Sequence, residues 1–150
     1  MCNVGRAQDF DTCRFMTYNV LNFDNTGNEK EQYLRAVVDS MRPDILVVQE
    51  LIELSGATRF FDSVVYVIDT NYAMGTFINS FDTDNGIYYR KDKFGFISNT
   101  VITTELRDIN QFKLVHLLSN EIVYFYSVHL KASSGGTNAD QRKREVDSLR

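Results

Sequence analysis

The sequence predicts an α/β chain with α+β character, and three observations carry that prediction. The runs Phe15-Met16-Thr17-Tyr18-Asn19 and Asp44-Ile45-Leu46-Val47-Val48-Gln49-Glu50 each read as a buried strand closed by a polar residue. Between them Leu34, Val37, Val38 and Met41 recur at the spacing of one apolar helix face turned to a sheet. From Ile87 onward the chain offers strand after strand, with only short turns between them.

Each element has its own local signal. After the first strand a polar loop covers residues 22–28. Asn28 reads as a helix N-cap, with Glu31 three residues on as its capping-box partner. Pro43, the only proline, ends that helix and opens the second strand, because proline has no N–H to donate and clashes with the preceding turn. Residues 51–64 read as a helix weakened by Gly56, with Phe60, Phe61 and Val64 inward. Strand fragments fill residues 66–85, where Asp82-Thr83-Asp84-Asn85-Gly86 is the best turn signal. Residues 87–89, 94–104, 112–118 and 122–128 read as successive antiparallel strands, the last two joined through Ser119-Asn120-Glu121. A Gly/Ser loop over residues 133–137 leads to a last helix, with Asn138 and Gln141 as cap and capping-box partner and Val146 and Leu149 on its inner face. There is no internal repeat and no low-complexity tract.

Composition sets the limits. A chain of 150 residues is long enough for one sizeable core. With 43% hydrophobic and 24% charged residues, 11 Phe and 8 Tyr, it is neither disordered nor of membrane type. Residues 1–13 read as an N-terminal segment and residues 14–150 as one domain portion. The net charge of −4 argues against a protein that coats nucleic acid unspecifically. Charge is uneven, however: from His129 onward five basic residues stand against three acidic ones. That excess is either a solvated helix face or a place for a polyanion to approach. Cys2 and Cys13 make neither a disulfide framework nor a zinc-binding pattern, although they could pair in an oxidising compartment. No transmembrane run and no signal peptide is recognisable, so a soluble chain is expected, with its compartment open and secretion allowed.

The chemistry concentrates at strand ends. Open α/β sheets build their sites at the carboxyl edge of the strands, where Glu50 and Asn19 both fall. A carboxylate and an amide oxygen suit a hard cation such as Mg2+, which takes oxygen ligands and few protein groups; Mn2+ or Ca2+ are the alternatives. Taken alone, Glu50 could equally be a surface glutamate starting a loop, and Asn19 a turn residue tolerant of left-handed geometry. His129 ends the run Tyr124-Phe125-Tyr126-Ser127-Val128, where imidazole can serve acid–base chemistry near neutral pH or simply bond a backbone carbonyl. Asn22 reads as a loop cap. His116, mid-strand and without a motif, reads as structural or exposed.

Four segments carry a resemblance. Phe15-Met16-Thr17-Tyr18-Asn19-Val20-Leu21-Asn22-Phe23, Pro43-Asp44-Ile45-Leu46-Val47-Val48-Gln49-Glu50, Asn85-Gly86-Ile87-Tyr88-Tyr89-Arg90 and Ser127-Val128-His129-Leu130-Lys131-Ala132 stand in an order that resembles the endonuclease/exonuclease/phosphatase superfamily, the deoxyribonuclease I-like proteins. The resemblance implies part of a four-layer sandwich of two mixed β-sheets flanked by helices. The Gly-Asp-x-Asn and Ser-Asp-His segments of the family's second half are absent, so the chain is expected to be an N-terminal half, weakly active or inactive alone. The implied parent is a Mg2+-dependent phosphodiesterase, most simply a nuclease acting on nucleic acid. The alternatives are a sphingomyelinase- or inositol-phosphatase-like hydrolase, or a non-catalytic half domain.

The resemblance also implies roles. Glu50 would be a metal ligand, Asn19 would orient the attacking water or support the metal, and His129 would sit beside the scissile phosphate. Arg107 and Lys131 would contact phosphate, unless Arg107 is spent in a local ion pair and Lys131 lies in a solvated loop. Asp84 or Asn85 would stand where some relatives place a carboxylate that pairs with the histidine, unless Asp-Asn-Gly is a plain turn. A half sandwich should also leave Ile45, Val47, Val101, Leu114, Val123 and Phe125 short of cover, which predicts self-association through an exposed sheet face.

Overall fold

The structure, a computed structural model, describes residues 11–27, 29–80 and 82–150. Strand β1 (Phe15–Phe23) is followed by helix α1 (Lys30–Met41) and strand β2 (Ile45–Leu51), the predicted strand–helix–strand unit. β1 and β2 pair in parallel from Phe15 opposite Ile45 to Asn19 opposite Gln49, and the register then shifts. Arg42 closes α1 in the left-handed region (φ 43°), its N–H bonded to Val38 O, and Pro43 follows as the stop signal. Asn28, the expected cap, lies outside the described residues. The apolar stripe is narrower than its spacing implies: Leu34 and Val38 are buried, but Val37 and Met41 are exposed.

Helix α2 (Glu53–Phe60) runs into a π-helical turn, Phe61–Val65. Gly56 is there because a Cβ would meet Phe23 O at 2.7 Å, so the helix trades intrinsic propensity for close approach to β1. Strands β3 (Tyr72–Met74) and β4 (Asp84–Arg90) complete a mixed sheet in the order β1-β2-β4-β3. Asp84, Asn85 and Gly86, predicted as a turn, are therefore strand residues, with Gly86 opposite Val48. Pairing across the sheet has overridden the local turn preference.

Strands β5 (Phe94–Ile102), β6 (Ile109–His116) and β7 (Ile122–Ser127) form a second, antiparallel sheet in sequence order. Asn120 supplies the left-handed residue of the β6–β7 turn. Helix α3 (Gly136–Asp147) starts before its expected cap. Asn138 lies inside it, bonding Ser134 O, and the buried residue is Glu145, whereas Val146 and Leu149 are exposed.

Alternation along β2 builds two cores. Leu46 and Val48 face α1, α2 and the π-helical turn with Leu34, Val38 and Phe60. Ile45 and Val47 face the second sheet, where they meet Ile87, Phe94, Phe112 and Leu114. Ile45 and Leu114 are fully buried and Val47 nearly so, which corrects the expectation of an uncovered inner face. The two sheets cover one another, and Val101, Val123 and Phe125 are half-buried. The described residues thus form the expected sandwich in part: helices, a mixed sheet and an antiparallel sheet. Tyr124 and Tyr126 stand exposed on the outer face of β7.

Candidate active site

Because β1 and β2 are parallel, their carboxyl ends coincide, and β7 ends close by. A cleft of about 440 Å³ runs along β1, β2 and β7 toward these ends, lined by Asn19, Gln49, Ser127 and His129 with Phe15 and Phe125. Backbone strain gathers at its rim. Leu21 (φ 53°), Asn22 (φ 51°) and Glu50 (φ 62°) all lie in the left-handed region, which costs a leucine or glutamate on the order of 1–2 kcal/mol. That cost turns the Glu50 side chain out of the strand alternation and toward Asn19.

Asn19 Nδ2 donates to Glu50 Oε1 at 2.9 Å, and Asn22 N–H donates to Glu50 Oε2 at 3.2 Å. His129 Nε2 lies 3.5 Å from Glu50 Oε1. Asn19 Oδ1 accepts the Leu21 N–H at 2.9 Å, which fixes the orientation of its amide. Asn19 Oδ1 thus accepts one backbone bond and keeps a second lone pair, while Asn19 Nδ2 holds Glu50. Each Glu50 oxygen accepts one bond and keeps lone-pair capacity. One carboxylate with free lone pairs, beside the cleft residues Asn19 and His129, fits Mg2+, which keeps several waters and takes few protein groups.

His129 is half-buried, and its buried Nδ1 has no hydrogen-bond partner among the described residues. Burial lowers its pKa below the ordinary histidine value, the Arg107 guanidinium lowers it further, and Glu50, Asp82 and Glu145 pull the other way. Arg107 thus reaches the same region, with its Nε 2.9 Å from Asp82 Oδ2. Lys131 is held through its backbone, its N–H donating to Glu145 Oε2 at 2.9 Å. The carboxylate facing His129 is Glu50. Asp84 does not pair with it: Asp84 Oδ1 accepts the Ser80 N–H at 2.8 Å, and burial, with Asp108 and Asp82 nearby, pushes its pKa up to about 6.

The sequence reading missed a polar relay beneath the cleft. Gln49 Nε2 donates to Ser127 Oγ (3.1 Å), Ser127 Oγ to Asn85 Oδ1 (3.0 Å), and Asn85 Nδ2 to Asn110 Oδ1 (2.8 Å). Asn110 Nδ2 then donates to Asn99 Oδ1 at 3.0 Å. The relay crosses between the sheets, and the one available signal was polar residues at inward positions of apolar strands. Glu145 was missed too, because nothing in a helix marks which carboxylate will be buried.

Two packed sheets, one mixed and one antiparallel, with helices against the mixed sheet, give the chain the fold of part of a deoxyribonuclease I-like sandwich. The particular structures it resembles include zebrafish TDP2 complexed with a single-strand DNA product (18% identity, TM-score 0.68, 91% of this chain and 52% of that one). The human Nocturnin catalytic domain with bound sulfate is similar (20% identity, TM-score 0.60, 91% and 58%). So is a mannosyl-6-phosphatase from Bacteroides thetaiotaomicron (12% identity, TM-score 0.64, 92% and 58%). The chain spans about half the length of these structures. No protein-family model and no curated protein sequence matches it.

Proposed function

We propose that this chain is the N-terminal portion of a Mg2+-dependent phosphoesterase domain whose substrate is a phosphodiester, most simply in nucleic acid. The observation that carries the proposal is Glu50 standing 3.5 Å from His129 while Asn19 and Asn22 hold the carboxylate in place. Glu50 would hold the ion, which when bound supplies positive charge for the charge developing on a phosphoryl oxygen. Asn19 orients the Glu50 carboxylate. His129, neutral at pH 7 because its pKa lies below the ordinary value, presents imidazole to a non-bridging or leaving oxygen. Arg107 places a cation beside it, and Lys131 begins the basic stretch along which a polyanion would lie. Nucleic acid is favoured over a sphingolipid or inositol phosphate by that stretch and by the DNA product in the zebrafish TDP2 structure.

Mn2+, as the paramagnetic stand-in for Mg2+, tests the metal half by water-proton relaxation. One ion per chain, lost in Glu50→Gln and retained in His129→Gln, is the expected result, and binding indifferent to Glu50→Gln overturns it. Single-stranded DNA hydrolysis with Mg2+, abolished by either substitution, tests the chemistry.

A further inference from the structure

We propose that Asp11, Cys13 and His116 form a second metal site, for a borderline-soft divalent cation of the zinc class, at the opposite end of β1 from Glu50. A carboxylate oxygen of Asp11, the Cys13 thiol and a ring nitrogen of His116 all lie within 4.8 Å of one another. Asp11 Oδ2 and His116 Nε2 are 3.1 Å apart. Donors bound tetrahedrally to zinc stand about 3.3–3.7 Å apart, so modest side-chain rotation closes the site. A sulfur ligand with an imidazole selects zinc over Mg2+ or Ca2+. Three protein ligands leave a fourth position for water.

The imidazole is already oriented for this. Phe94 packs on the His116 ring with centroids 5.2 Å apart. Ser119 Oγ lies 2.9 Å from Nδ1 and 3.3 Å from Glu121 Oε2. Without metal, Nε2–H donates to Asp11; once a metal displaces that proton, Nδ1–H can donate to Ser119 Oγ while Ser119 donates to Glu121, leaving the Nε2 lone pair for the ion. Histidine ligands are commonly held by such an outer partner. Lys93 Nζ is the competing cation, 3.4 Å from Asp11 Oδ1, but it also lies 3.4 Å from Asp44 Oδ2 and keeps that partner when a metal takes Asp11. The ligands come from residues flanking β1 and from the end of β6. Spacing rules pass over them, because two stand two positions apart and the third lies about a hundred residues away.

Such a site would pin the segment before β1 to the second sheet. The test is Co2+ titration of the full chain under a non-thiol reductant, followed by absorption. The expected result is one Co2+ per chain with a thiolate-to-cobalt charge-transfer band that Zn2+ displaces. Cys13→Ser should abolish the band, Asp11→Asn and His116→Gln should weaken binding, and Ser119→Ala should weaken it by roughly tenfold. Cys2→Ser should leave it intact. Metal held by Glu50 contributes no such band, having no sulfur ligand. A wild-type chain without the band, a band that survives Cys13→Ser, or one that vanishes in Cys2→Ser overturns the proposal.

Discussion

Ser127 on β7 donates its hydroxyl to Asn85 on β4 at 3.0 Å and accepts from Gln49 on β2 at 3.1 Å, so one small side chain ties the two sheets together beneath the cleft. All three side chains project into the space between sheets, where an unpaired polar group is expensive.

Ser127→Ala should therefore cost about 1–3 kcal/mol, because it strands an acceptor on Asn85 and a donor on Gln49. Urea denaturation measures the loss. Gln111→Ala, which removes an exposed bond to Tyr126 on the outer face, is the control and should cost little.

Glu50→Gln should abolish Mg2+-dependent hydrolysis while changing stability by less than about 0.5 kcal/mol, since the amide can keep one of the two bonds that the carboxylate accepts. Asn19→Ala should reduce metal affinity by roughly 10–100-fold without abolishing it, as expected for a residue that orients a ligand. Equal effects from both substitutions would show Asn19 to be a ligand itself.

His129 should titrate below the ordinary histidine value. In the window between that lowered value and about 6.5 the unfolded chain binds the proton more readily. Stability carried by this group is thus present above about pH 6.5 and is lost as pH falls through the folded pKa. Arg107→Gln removes one of the causes and should move the His129 pKa upward. An NMR titration of the imidazole protons reads the shift directly, and an unmoved pKa would exclude Arg107 as the source.

Asp84 runs the other way. Its pKa is raised to about 6, so the folded state holds a proton that the unfolded chain has already lost, and stability falls as pH climbs from about 4 to about 6. Asp84→Asn keeps an oxygen for the Ser80 N–H and removes the buried charge. It should stabilise the protein at pH 7 by roughly 1–2 kcal/mol and flatten that part of the profile. Thermal melts at pH 4, 5, 6 and 7 decide it.

Much of the fold was legible because the signals are local. The parallel strand–helix–strand unit announces itself through Pro43, the apolar runs and the helical spacing of Leu34 and Val38. Residues 119–121 mark a hairpin by composition alone. Legibility failed where a distant partner outvoted a local preference. Asp84-Asn85-Gly86 has turn chemistry but is drawn into β4 by β2, and Val146 looks like a core residue although Glu145 takes the buried position to hold Lys131 N–H.

Alternation and chain breaks, which are properties of neighbouring residues, already place Glu50 and His129 at strand ends; Asn19, read as closing its strand, lies mid-β1, at the last regular pair before the register shifts. Only the tertiary structure decided what those residues do to one another. The Leu21 N–H claims one lone pair of the Asn19 oxygen and turns its amide nitrogen to Glu50, while Glu50 rather than Asp84 meets His129. Likewise Asp11, Cys13 and His116 become a cluster only when β6 lies beside the start of β1. Hydrogen bonds and ligand geometry depend on distances of a few ångströms between residues up to a hundred positions apart, and no local pattern encodes those distances.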